Sequence, residues 1–477
     1  MVERFDVLVV GGGTAGCVLA ARLSQDAARS VCLLEAGPDY GAFDRGRWPA
    51  EMVDACVMPD SHDWGTGGED DRTLGARIVG GCSARNACMA VEGTPADYDE
   101  WGEGWAYERF APYLARAKTE LRVVPANTGH PAPMHAAFVE AARAVGFPLL
   151  NDPNDPHQPV GVASFPASVV GTVRWNAAFA YLDAARGRAN LTVTGDTLVD
   201  RVLLEGTNAI GVVTAEGRTI QAGLVVLAAG AYFSPSILLR SGIGPEPELR
   251  RVGIPLVAPL PVGERLLDHC GSGLAWQPTE RFHAETTAHE RDGDLFEAHA
   301  VLKAASTACP PGSFDLHLLS WTNATSTPGR YSANLAVFLM KPLSSGRVRL
   351  RSADPGELPV VERGFLEQSK DLQPLLEGFE LARTLAATAP LAGLLATELR
   401  PGTVDLATYL RETVRNYFHP AGTCGIGRVV DRSGHVLGIE GLVVADASVM
   451  PTIPRANTNL TTAAIAERIA EQLWRRS

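Results

Sequence analysis

No apolar run in the sequence approaches the ~20 residues that a membrane-spanning helix needs, so no membrane span is expected. Basic residues are also short: 42 Lys and Arg stand against 54 Asp and Glu, for a net charge of −12. No basic stretch offsets that balance, which disfavours nucleic acid and anionic membrane surfaces as partners. The eight cysteines include no C-x-x-C pair, so zinc-knuckle and thioredoxin-like signatures are missing and no metal is expected. The N-terminal MVERFDVLVVGGG lacks a basic segment followed by a long apolar core. The expectation is a cytoplasmic protein with reduced thiols. Its 477 residues, 46% hydrophobic and 20% charged, suit a globular chain of two to three units.

The first informative stretch is an apolar, β-branched run at Asp6 to Val10, which reads as a strand buried on both faces. It enters GGGTAG, where Gly11, Gly13 and Gly16 satisfy G-x-G-x-x-G, and then a helix with Val18, Leu19 and Leu23 on one face. A second apolar strand ends in Glu35, nineteen residues after Gly16. Gly11 allows the tight turn, Gly13 lets a pyrophosphate approach the backbone, and Gly16 lets helix and strand pack closely. The helix N-terminus offers free N–H groups to phosphate oxygens, and Glu35 accepts hydrogen bonds from a ribose. This is a dinucleotide site. The pattern alone does not separate FAD from NAD.

Further along, Gly75 to Trp101 gathers small residues around Gly80, Gly81, Ser83, Ala84, Asn86 and Ala87. The segment reads as a loop pressed against a bulky ligand, or as a tight structural turn. GLVVLAAGAYFSPSILLRSGIG reads as a strand, a glycine turn and a helix capped by Ser234 with Pro235 in its first position. Near the C-terminus a strand ending at Ala445 is followed by Asp446, placed where open parallel sheets bind ligands. A nucleotide unit assembled from both ends of the chain follows. NYFHPAGTCGIG places His419 between an aromatic pair and a Pro-Ala-Gly turn. Either a buried structural histidine or a proton acceptor held in an irregular backbone fits that setting.

Together these motifs resemble the glucose-methanol-choline (GMC) family of flavin oxidoreductases. GGGTAG, GGCSARN, AAGAYFSPSILLRSGIGP, VGERLLDHC, HPAGTC and VADASVMPTIPRANTNL run in the family's order from residue 5 to residue 472. The resemblance implies an α/β Rossmann-like FAD-binding domain and an α+β substrate domain built on a six-stranded antiparallel sheet. The FAD domain would comprise residues 1–155, 189–270 and 416–477, and the substrate domain residues 156–188 and 271–415. The implied catalytic residues are His419 and Asn457, the His/Asn pairing of the group that includes 5-hydroxymethylfurfural oxidase and choline oxidase. The implied FAD contacts are Gly11, Gly13, Thr14, Ala15, Gly16, Glu35, Ala36, Gly81, Ser83, Asn86, Val199, Asp446, Ala447, Asn457 and Thr458. Val199 would meet the adenine through its backbone.

The expected reaction is oxidation of a primary alcohol, aromatic or otherwise apolar, to the aldehyde, with His419 as base. Oxygen is the expected acceptor, giving hydrogen peroxide; the alternative is a dehydrogenase passing electrons to a quinone or other carrier. Hydroxynitrile lyases of this fold carry a histidine where Asn457 stands. The long apolar channel of a fatty-acid photodecarboxylase is not legible in the sequence. Arg85 occupies a position where some relatives tether the flavin through histidine, so FAD is expected to be noncovalent and Arg85 to be a salt-bridged structural residue. Tyr417 and Phe418 are expected to wall the substrate pocket. His317, on an alternating strand, either lines that pocket or fills space behind it. His269 reads as structural, and the polar segment 279–294 as a mobile loop.

Overall fold

The computed structural model describes residues 3–65, 74–124, 131–292, 295–296 and 298–475. The strand Glu3–Val10 lies between Val31–Leu34 and Thr219–Leu227, parallel to both. Leu191–Thr194 extends the sheet beyond Val31–Leu34, and Leu442–Val444 joins Thr219–Leu227, again in parallel. An antiparallel pair, Asn208–Thr214 and Val199–Glu205, completes the other side. Val7 to Val10 are fully covered, as their unbroken apolar character requires of a strand buried on both faces.

The helix Thr14–Leu23 packs in the same core as the C-terminal helix Thr458–Arg475. Leu19, Leu23, Ile465 and Ile469 are each buried there, worth roughly 1.5–3 kcal/mol apiece against exposure. The two helices are also joined by an ion pair, Arg22 Nη2 to Glu467 Oε1 at 2.7 Å, and Arg22 reaches Glu120 at the same distance. The Glu467 side chain is out of contact with solvent, so it depends on that guanidinium and on Arg116, whose Nη1 lies 3.4 Å from Glu467 Oε2.

The second sheet is antiparallel. Its spatial order is Leu395–Arg400, Cys270–Pro278, Ala333–Leu339, Leu316–Trp321, Ala300–Ala304 and Gly161–Ser164, with the short Arg415–Asn416 also pairing with Cys270–Pro278. The expected six strands are therefore joined by a seventh. One face packs on the helices Leu372–Ala386 and Pro133–Ala144 through Leu316, Leu318, Phe138 and Phe379. Because Pro133–Ala144 belongs to this core, we propose placing the first domain boundary before residue 133 rather than at 155.

Two local expectations are corrected. The helix after the strand Thr219–Leu227 runs Gly230–Arg240, so Ser234 and Pro235 lie inside it. Pro235 has no N–H for the Ala231 carbonyl, but the Thr423 hydroxyl donates to that oxygen at 2.7 Å, which makes the interior proline tolerable. Ser234 still serves the helix start, accepting from the Ala229 N–H at 3.0 Å. The segment read as a loop is a helix, Glu280–Asp292; residues 293 and 294 lie outside the described residues. Its sequence is polar because it docks through few side chains: Phe282 and Thr286 are buried, and Tyr331 donates to Glu290 at 2.5 Å.

Candidate active site

One cavity of about 1510 Å³ runs from the glycine loop to His419, walled by both sheets. At one end the chain approaches itself closely. A Cβ on Gly16 would lie 1.8 Å from the Gly11 carbonyl oxygen, so only glycine lets helix and turn meet there. Gly13 caps the helix Thr14–Leu23, whose first turn holds no acidic residue to compete for its N–H groups.

Glu35 is buried beside this loop, accepting from the Gly12 N–H at 2.7 Å and the Gly37 N–H at 2.8 Å. Burial raises its pKa to about 7, against the opposing pull of those two amides and of Arg77. Asp446, buried as well, accepts from the Gly230 N–H at 2.8 Å, Ser234 Oγ at 2.6 Å and the Ser448 N–H at 2.8 Å. It thereby pins the start of one helix to the turn that follows the last parallel strand. Its pKa is raised, chiefly by burial.

Of the expected cofactor contacts, Gly11, Gly13, Thr14, Ala15, Glu35, Ala36, Gly81, Asn86, Val199, Asp446, Ala447, Asn457 and Thr458 line the cavity. Gly16 and Ser83 do not. Gly16 acts through packing, and the Ser83 hydroxyl is turned inward, donating to Gly80 O at 2.6 Å and accepting from the Ala177 N–H at 3.0 Å. Arg85 is also off the wall, paired with Asp63 at 2.5 Å and donating to Pro59 O at 2.7 Å.

The far end is built by a mismatch between two antiparallel segments. Asn416 pairs with Cys270 and Ala421 with Leu267, so Tyr417 to Pro420 face only Asp268 and His269. The surplus bulges, Phe418 takes a left-handed φ of 62°, and His419 is turned into the cavity. Three contacts hold it. Its backbone N–H donates to Asp268 Oδ1 at 2.9 Å, its Nδ1 lies 2.8 Å from His269 Nδ1, and its Nε2 lies 3.0 Å from Asn457 Nδ2. Burial, and then the neighbouring His269, holds the His419 imidazole well below its ordinary pKa. Neutral imidazole is therefore the resting form. Asn457 Oδ1 is buried with no hydrogen-bond partner among the described residues, as an atom awaiting a ligand donor would be.

Tyr417 stacks on Phe338 at 3.9 Å between centroids and stands 4.3 Å from the His419 ring. Phe418 reaches the cavity too, but is 51% exposed and belongs to its rim. His317 sits behind Tyr417, stacked on Phe314, and does not line the cavity. None of the described residues of Glu280–Asp292 lines it either. Sequence reasoning missed Asp268 and His269 as partners of His419. The available signal was the ionisable pair Asp268–His269 directly after Leu266 and Leu267 in the VGERLLDHC motif.

A parallel-sheet nucleotide cradle that opens onto a neutral histidine in an apolar chamber fits a dinucleotide-dependent oxidoreductase. The GMC oxidoreductase models match residues 5–271 for the N-terminal part and 342–466 for the C-terminal part, and the chain belongs to that family. It is 33% identical to human mitochondrial choline dehydrogenase over 98% of this chain and 89% of that protein. It is 32% identical to 5-(hydroxymethyl)furfural oxidase of Methylovorus sp. strain MP688, over 98% of each. Among solved structures, pyridoxine 4-oxidase from Mesorbium loti superposes with a TM-score of 0.86 at 26% identity, covering 99% of both chains. The protein is an FAD-dependent enzyme acting on CH–OH donors. The glycine cradle, the acid-free helix start and the unpartnered Asn457 oxygen fit that cofactor. Among the described residues no helix is long and apolar enough to cross a membrane.

Proposed function

We propose that this enzyme oxidises a primary alcohol with an aromatic or otherwise apolar substituent to the aldehyde, and that oxygen takes the electrons as hydrogen peroxide. The observation that supports this most is the His419–Asn457 pair set against Met89, Leu319, Trp321, Phe338 and Tyr417, all on the same cavity. FAD, when bound, supplies the acceptor for the hydride of the carbinol carbon. His419 Nε2 takes the hydroxyl proton, and Asn457 holds the alcohol oxygen without bringing a charge that would oppose its developing negative character. The apolar wall seats the substituent and excludes water. The relatives' names support the class: a furfuryl alcohol, a pyridine alcohol and choline are all CH–OH donors.

The test is a panel of benzylic, furfuryl, aliphatic and quaternary-ammonium alcohols mixed anaerobically with the yellow protein, followed by admission of air. Bleaching by the neutral aromatic members, then stoichiometric peroxide, is the expected result. Bleaching without peroxide would move the reading to a dehydrogenase, and bleaching by choline alone would overturn the apolar assignment.

A further inference from the structure

Behind His419, on the side away from the cavity, lies a second imidazole that the sequence assigned to packing. His269 is fully buried, and its Nε2 lies 3.0 Å from the carbonyl oxygen of Pro454. A carbonyl only accepts, so that nitrogen must carry a proton. In neutral His269 the other nitrogen, Nδ1, is then bare. It faces His419 Nδ1 at 2.8 Å, which must therefore be the donor. His419 Nε2 is left unprotonated, and the Asn457 amide donates to its lone pair at 3.0 Å. Each donor and acceptor in the chain from Pro454 to Asn457 has one allowed assignment.

We propose that His269 is a positioning residue that sets the tautomer of His419, keeping Nε2 unprotonated toward the alcohol. The proposal rests on the reading of His419 as base. When the alcohol hydroxyl displaces the Asn457 amide from Nε2 and its O–H bond breaks, the proton forms the new N–H on Nε2 and His419 becomes an imidazolium. Its Nδ1–H then donates to a neutral acceptor, which stabilises the charge in a site that burial otherwise makes hostile to it. Both imidazoles are held well below their ordinary pKa, chiefly by burial, so the neutral assignment holds through the neutral pH range. Backbone geometry reinforces the pairing. Asp268, the residue before His269, grips the His419 N–H, and Tyr417 N–H donates to the His269 carbonyl at 2.9 Å. Adjacent residues of one segment thus fix both the main chain and the ring of His419.

The test combines a spectrum and two variants. The FAD-loaded protein, labelled with ¹⁵N-histidine, is examined by ring-nitrogen NMR at neutral pH, and the His419 signals are identified by their loss in His419→Ala. A protonated Nδ1 and a bare Nε2 are expected on His419, with the reverse on His269. His269→Phe removes the acceptor, so anaerobic flavin reduction should slow by roughly 10²-fold or more at unchanged half-saturation by the alcohol, as for other bases released from their orienting partner. His269→Asn keeps an acceptor near the Nδ1 position and should recover part of the rate. A His419 protonated at Nε2, or an FAD-loaded His269→Phe that reduces at the wild-type rate, would overturn the proposal. If His269→Phe fails to fold, the wild-type spectrum and the Asn variant still decide it. A full rate in His419→Ala would instead remove the base itself, whatever the tautomer.

Discussion

A histidine that serves as a base must be neutral when the alcohol arrives, and around His419 burial supplies that condition. The residue is 7% exposed and its pKa is driven well below 6.5. The reduction rate should therefore rise with pH through an ionisation on the acid side of the ordinary histidine range, and be flat through neutrality. Stopped-flow rates at saturating alcohol across acid to neutral pH check this, and a rise centred above 6.5 would contradict it. The same depression bears on stability with a definite sign. As pH falls through 6.5 the unfolded chain takes up a proton that folded His419 refuses, so this residue erodes stability from there down to its folded pKa. His419→Ala should remove that component. It should still bind FAD, yet reduce it at least ~10²-fold more slowly, with Asn457→Ala less impaired. At the other end of the cavity, Glu35→Ala orphans the Gly12 and Gly37 amides and removes the acceptor we propose for the ribose. Weakening of FAD binding by roughly 1.5–3 kcal/mol is expected, read by titrating the apoprotein with FAD.

Elements divide sharply in how far the sequence announced them. The strand, glycine turn and helix from Glu3 to Leu23 were legible because each step follows a local rule: a buried β-branched run, a turn only glycine can make, an amphipathic face. The start of Gly230–Arg240 was not, because Pro235 reads locally as a first-turn residue. What permits it inside the helix is the hydroxyl of Thr423, almost two hundred residues away. Glu280–Asp292 failed for a related reason, since a helix docked mainly through Phe282 and polar side chains shows little apolar periodicity. At the active site HPAGTC disclosed an irregular backbone, but not the four-against-two bulge, which exists only once Asp268 and His269 lie alongside. Gly16 offers the plainest test at this scale. A methyl group there would meet the Gly11 carbonyl at 1.8 Å, a backbone atom that cannot step aside. Gly16→Ala should yield protein without bound FAD or with greatly reduced soluble expression, measured by flavin absorbance per chain. Full FAD content would show that helix and turn separate more easily than their packing implies.

Across the whole molecule the cavity is shared property. Its glycine loop follows the first strand, and Val199, Asp446, Tyr417 to His419 and Asn457 line it from distant segments. Segments more than four hundred residues apart meet there, and buried acids whose pKa values are raised line it in two places. A cofactor bound across those segments ties them together, so its binding energy becomes folding energy by linkage. Arg85, which the resemblance places where some relatives tether the flavin, is committed to Asp63 and Pro59. We therefore expect acid or heat to release FAD intact, leaving a colourless polypeptide. The apoprotein should melt at a lower temperature, and added FAD should raise that temperature with its concentration, by about 2.7 kcal/mol of stability at a hundredfold excess over its dissociation constant. Differential scanning calorimetry against an FAD series measures the slope, and the supernatant after acid precipitation measures the release. Flavin carried down with the precipitated chain would disprove the noncovalent assignment. A melting temperature indifferent to FAD would mean instead that the two ends of the chain hold together without the ligand they enclose.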